Sequence, residues 1–208
     1  MKKLALVGLV GLLGLTSTGC AGVQKMTEQI KLDGTCDAVF LSEKEARELK
    51  ESSQELEKQA DKLFAMGSYE LAIQRYVEAS AKLLVENELS LEDAAAQSDS
   101  VKEFFSANHG LLQRAAEIDF KRGQTYSRLE KNENALHCFS QALKDEIAPP
   151  NDAMTYLNRG DAYRDLAKED LARADYLKSL ELFKEYKLPV YVKMADDRLK
   201  SVSTPPSK

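Results

Sequence analysis

Tryptophan is absent from the 208-residue chain, proline occurs five times and glycine ten times. No stretch alternates apolar and polar residues with period two, so no β-strand is expected. An excess of basic residues is missing too. Twenty-nine Lys and Arg stand against 34 Asp and Glu, a formal charge of −5. An acidic chain without a basic patch is a poor partner for nucleic acid, whose binding rests on neutralising phosphates. There are two histidines, His109 and His137, no metal-ligand spacing and no glycine-rich phosphate loop. No catalytic constellation, metal site or cofactor site can be assembled from these residues, so an enzyme is not expected. No apolar run reaches the roughly 20 residues of a membrane span. What the chain does have is 43% hydrophobic and 30% charged residues, enough to bury a core beneath charged helix faces.

The N-terminus "MKKLALVGLVGLLGLTSTGCAG" has two lysines, twelve apolar or glycine residues (4–15), then small residues ending at Cys20. This is the layout of a secretory signal peptide. An uncleaved anchor is the rival, weakened by the polar or small run "TSTG". Thr18-Gly19-Cys20 resembles a bacterial lipobox, although Ser17 stands where that family usually has leucine. The resemblance implies cleavage before Cys20 and lipid attachment to its thiol. Several acyl chains give stable anchoring. Ala21 replaces the aspartate that in lipoproteins favours the inner membrane, which implies the outer membrane, facing the periplasm. Loss of Lys2 and Lys3 with the signal takes the formal charge from −5 to −7. Residues 20–41 read as a lipidated N-terminus and tether, spanning roughly 25 Å as a flexible coil. Residues 42–202 read as a helical domain and 203–208 as a disordered tail.

The helical pattern starts with one long helix over 42–67, opened by the capping box Ser42/Glu45 and stopped by Gly67. A second helix follows over 68–88, and five more begin at 110, 132, 151, 169 and 189. Small residues recur in one register. Ala60 precedes Ala72, Tyr76 and Ala79; Gly123 precedes Ala135, Phe139 and Ala142; Gly160 precedes Ala172, Tyr176 and Ser179. Leu63, Tyr126 and Tyr163 stand three residues after the leading small residue. The pattern resembles the tetratricopeptide repeat, a helix–turn–helix unit of 34 residues. It implies an all-α fold of three recognisable pairs over roughly 53–185, with a capping helix from Pro189. Gly123 and Gly160 then sit at close helix crossings. Leucine should overpack such a site and alanine should be tolerated. Ala60 and Gly123 are 63 residues apart, which leaves an insertion with room for a degenerate helical pair in 85–115.

Repeats of this kind bind proteins or peptides along the first helix of each pair. By family register that groove is lined by Asp61 and Phe64; by Phe120, Gln124, Ser127 and Arg128; and by Leu157, Asn158, Asp161 and Arg164. Some of the apolar members would equally suit contact with the next repeat. Glu57 with Asp61, Phe120 with Gln124 and Leu157 with Asp161 replace the lysine–asparagine pattern of carboxylate-clamping members. The expected function is a lipid-anchored envelope adaptor for a protein or peptide partner, with no nucleic acid involved. Its plan is similar to pilotins and to lipoproteins of outer-membrane protein assembly. A structural or regulatory subunit of an envelope complex, or a small-ligand helical module, are the alternatives. Cys36 and Cys138 remain after Cys20. The charged register equivalents Arg75 and Asp175 place Cys138 near solvent, where a Cys36–Cys138 disulfide could form in an oxidising compartment. Two thiols that do not bridge are the alternative.

Overall fold

The computed structural model describes residues 43–87 and 108–203. The expected signal peptide, Cys20, the tether with Cys36, and residues 88–107 of the insertion lie outside the described residues. The described part is entirely helical, with no strand. The eight helices are α1 (Glu43–Glu48), α2 (Ser53–Ala65), α3 (Tyr69–Glu86), α4 (His109–Arg128), α5 (Asn132–Lys144), α6 (Asn151–Asp165), α7 (Glu169–Glu185) and α8 (Pro189–Ser203). The chain divides into two compact units, 1–111 and 112–208. Each is taken by itself.

In the first unit the expected long helix is two helices. Ser52 caps α2, its side chain accepting from the Glu55 backbone N–H at 3.2 Å. A tertiary contact fixes the same point. Both the backbone N–H (3.0 Å) and the hydroxyl (2.5 Å) of Ser53 donate to the Glu86 carboxylate at the far end of α3. Lys82 donates to the Leu49 carbonyl at 2.9 Å, tying the linker between α1 and α2 to α3. The motif Ser52-x-x-Glu55 is a second capping box that the helical periodicity conceals.

The register of small residues is the register of the core. Ala60, Ala72, Ala79, Ala135, Phe139, Ala142, Ala172, Tyr176 and Ser179 are all 0% exposed, and Tyr76 is 2% exposed. Each buried ring contributes about 1.5–3 kcal/mol. The two glycines are packing residues, but their neighbour is a ring. A Cβ on Gly123 would lie 2.6 Å from Phe139, and one on Gly160 would lie 2.6 Å from Tyr176 Cε1 and 3.3 Å from the Ala172 carbonyl oxygen. The expectation that alanine is tolerated at Gly160 is therefore corrected: a methyl there meets a fully buried ring.

One device ends five of the helices. Gly67 has φ 78°, and Glu130, Glu146, Ala167 and Lys187 have φ of 56–58°. The next residue in each case donates to the carbonyl five residues earlier, as in Ser68 N–H to Leu63 (2.9 Å) and Lys168 N–H to Tyr163 (2.8 Å). This is the Schellman closure. Gly67 carries it without strain. Four side-chain-bearing residues adopt the same left-handed conformation at a cost.

In the second unit the core runs through Ala153, Leu157, Ala172, Tyr176 and Phe183 into Ala195 and Val202 of α8. Arg173 donates to the Val202 carbonyl at 2.8 Å, and Tyr191 stacks on Phe183 at 5.2 Å. The last helix thus closes the array as a cap, and it runs through Ser203, one residue into the expected tail. Arg159 joins three helices. It grips Asp175 with two bonds (2.7 and 2.8 Å), reaches Ser140 Oγ at 3.3 Å, and lies between the rings of Tyr156 and Tyr163.

The charged face expected to expose Cys138 is instead an inner face. Cys138 is 1% exposed. Its register equivalent Asp175 is 6% exposed and matched by Arg159, sixteen residues earlier. A solvated surface for Cys138 is ruled out by this burial.

Candidate binding face of the first helices

Phe120 and Leu157 do not line a groove. They are 7% and 2% exposed. Phe120 packs on Phe139 at 6.2 Å, and Leu157 belongs to the core beside Tyr176. In the first unit Phe64 is half-buried and meets Tyr69 edge-on at 5.5 Å. The apolar residues of the expected groove are thus largely spent on packing.

Two of the acidic residues are structural. Asp61 accepts from the Tyr76 hydroxyl at 2.5 Å, and Asp161 accepts from the Tyr176 hydroxyl at 2.8 Å. Both pairs are fifteen residues apart. At the same spacing the middle repeat has Gln124 and Phe139, so the carboxylate is present where the ring carries a hydroxyl and absent where it does not. Burial, then the bond to the aspartate, pushes both phenols well above their ordinary range. They remain neutral donors. Asp161 also accepts from Arg164 at 3.0 Å and from Arg198 of α8 at 2.8 Å. Arg164 turns its other nitrogens to Asp165. The fifteen-residue Asp–Tyr spacing is the signal in the sequence that reveals these roles.

Gln124 and Asn158 are half-buried, and Arg128 is exposed. Their side chains make no hydrogen bond or ion pair within the described protein. Ser127 donates to the Gly123 carbonyl at 3.0 Å. His109 is exposed and His137 half-buried. Among the described residues no cluster of His, Cys, Asp or Glu could hold a metal ion, and no helix is long and apolar enough to cross a membrane.

Residues 116–144 and 154–186 match the tetratricopeptide repeat family model. These spans are α4–α5 and α6–α7, the second and third pairs. Two solved structures are similar to the chain. The first TPR of Spaghetti (RPAP3), bound to the HSP90 peptide SRMEEVD, is 22% identical, with a TM-score of 0.49 over 73% of this chain and 90% of that one. The Sgt2 TPR domain from Aspergillus fumigatus is 17% identical, with a TM-score of 0.45 over 75% and 86%. No curated protein sequence matches the chain. Tetratricopeptide-type pairs are interaction scaffolds whose stacked helices expose a binding surface. In this chain the first helices of the second unit carry Gln124, Arg128 and Asn158 without a hydrogen bond or ion pair, and Asp161 and Arg164 within one charge cluster.

Proposed function

We propose that the chain is a lipid-anchored adaptor of a bacterial envelope, exported by its N-terminal signal and tethered through Cys20 at the outer membrane, facing the periplasm. Its repeats hold a protein or peptide partner on the first-helix face of the second unit. The observation carrying this reading is the set of polar side chains, Gln124, Arg128 and Asn158, that make no hydrogen bond or ion pair within the described protein, on helices whose Phe120 and Leu157 are packed in the core. An extended or helical segment contributing backbone and polar groups would satisfy them. The sequence Thr18-Gly19-Cys20 after a twelve-residue apolar run supports the anchor.

Two measurements test it separately. Intact mass of the mature protein should show an acylated Cys20 at the new N-terminus, and Cys20→Ala should leave an unprocessed precursor or a released domain. An unmodified Cys20 rejects the anchor. Photo-crosslinkers placed at Arg128 and Asn158 should trap one and the same envelope protein. A crosslinker at Leu177, exposed on α7, should not. Equal capture from all three positions rejects the binding face.

A further inference from the structure

The turn between α2 and α3 carries exposed apolar side chains. Met66 is 67% and Leu71 55% exposed. Between them and on either side of Gly67, Phe64 and Tyr69 are half-buried and meet edge-on at 5.5 Å. The Tyr69 hydroxyl makes no hydrogen bond within the described protein. The repeat register sets this turn against its two equivalents. Residues 64–71 read FAMGSYEL, with Glu70 the single charge. Residues 127–134 read SRLEKNEN, charged at Arg128, Glu130, Lys131 and Glu133. Residues 164–171 read RDLAKEDL, charged at Arg164, Asp165, Lys168, Glu169 and Asp170. All three turns close through the same backbone bond, Ser68 to Leu63, Lys131 to Tyr126 and Lys168 to Tyr163, so the backbone does not call for apolar side chains. Met66 is exposed where Leu129 and Leu166 are half-buried. An exposed apolar surface that the fold does not use marks an interaction site.

The place of the turn in the chain says what covers it. It belongs to the unit that follows Cys20. Lys82 ties Leu49, just after α1, to α3 at 2.9 Å. That point lies about 20 Å along α3 from the turn. Residues 21–42 reach roughly 25 Å as a coil. Lipid on Cys20 and the turn can therefore enter one bilayer. We propose that the α2–α3 turn is a second, interfacial membrane contact: Met66 and Leu71 enter the boundary between headgroups and acyl chains, and Tyr69 sits at headgroup level with its hydroxyl in water. Lys62, exposed one turn before Met66, lays its stem along the same surface and its ammonium among the phosphates. The inference rests on the lipid anchor proposed above. Acyl chains alone leave the domain free to rotate about its tether, and the second contact fixes which face of the first unit looks away from the membrane.

The absence of tryptophan makes the test direct, since Met66→Trp places a single indole in the turn. The mature full chain with this substitution is reconstituted into phosphatidylethanolamine–phosphatidylglycerol vesicles, with or without lipids brominated near the top of the acyl chain. Its emission should shift to the blue and be quenched by the brominated lipid. Leu177→Trp, at an exposed site of the second unit, should show neither effect. Adding Leu71→Asp to Met66→Trp should restore the emission. No quenching at position 66, or equal quenching at 66 and 177, overturns the proposal. A blue shift without quenching means that a protein, a partner or a second copy, covers the turn, and overturns it as well. Intact mass of the same sample separates this contact from the anchor. An acylated Cys20 with an unquenched turn rejects the turn alone. An unmodified Cys20 rejects the anchor; quenching when vesicles are added to that chain still upholds the turn, and its absence rejects both.

Discussion

Replacing Gly160 by alanine separates two opposing effects on one atom. In a helix interior, alanine is favoured over glycine by about 0.8–1.0 kcal/mol. Against this, the added methyl would lie 2.6 Å from Tyr176 Cε1 and 2.7 Å from Cδ1. Carbon atoms rest about 3.5–4.0 Å apart, so the overlap is about 1 Å. The ring cannot swing into solvent, because it is 0% exposed and its hydroxyl is held by Asp161. Relief must come from parting α6 and α7 or breaking the phenol's bond. Overpacking of this kind costs about 1–3 kcal/mol. The net expectation is a loss of up to about 2 kcal/mol, with Gly160→Leu losing more. For a chain of this size that lowers Tm by up to about 8 °C, measured by far-UV circular dichroism. Gly110→Ala is the control. Nothing lies within 4 Å of a Cβ there, so it should be neutral or stabilising by up to about 1 kcal/mol. If Gly160→Ala proves as stabilising as Gly110→Ala, the ring contact does not govern the choice of glycine. In the first unit the register equivalents are Ala60 and Tyr76, both buried, so a methyl and a ring are accommodated together there.

Arg159→Ala leaves the buried Asp175 carboxylate unmatched and should cost about 2–4 kcal/mol in urea unfolding, while the pair Arg159→Leu with Asp175→Ala should recover most of the loss. Ala167→Gly relieves a left-handed residue at the end of α6 and should raise stability by about 0.5–1 kcal/mol; a loss in thermal melts would refute the strain assigned there. Tyr176→Phe removes one of three donors to Asp161 and should cost about 0.5–1.5 kcal/mol. Adding Asp161→Gln, which copies the Gln124–Phe139 pair, will recover stability only if Arg164 and Arg198 can do without the carboxylate; a double-mutant cycle measures that coupling.

The helix pairs were legible in the sequence because their causes are local. A spacing of 12, 4 and 3 puts small and aromatic residues on one helical face, and Gly67 supplies the left-handed residue that a helix end needs. The same turn at Glu130 and Ala167 carries no glycine, and only the repeat register points to it. What the tertiary structure decided is which faces meet a neighbour. Charge at Arg75 and Asp175 suggested a solvated surface for Cys138, yet a carboxylate is buried wherever a guanidinium is delivered to it from another helix, as Arg159 is to Asp175. Phe120 and Leu157 looked available to a partner until packing assigned them to the core. Asp61 and Asp161 looked like groove residues, but a hydroxyl fifteen positions on had already taken each carboxylate. Periodicity fixes a residue's face on its own helix; the burial and charge state of that face depend on contacts between helices, which no local spacing records.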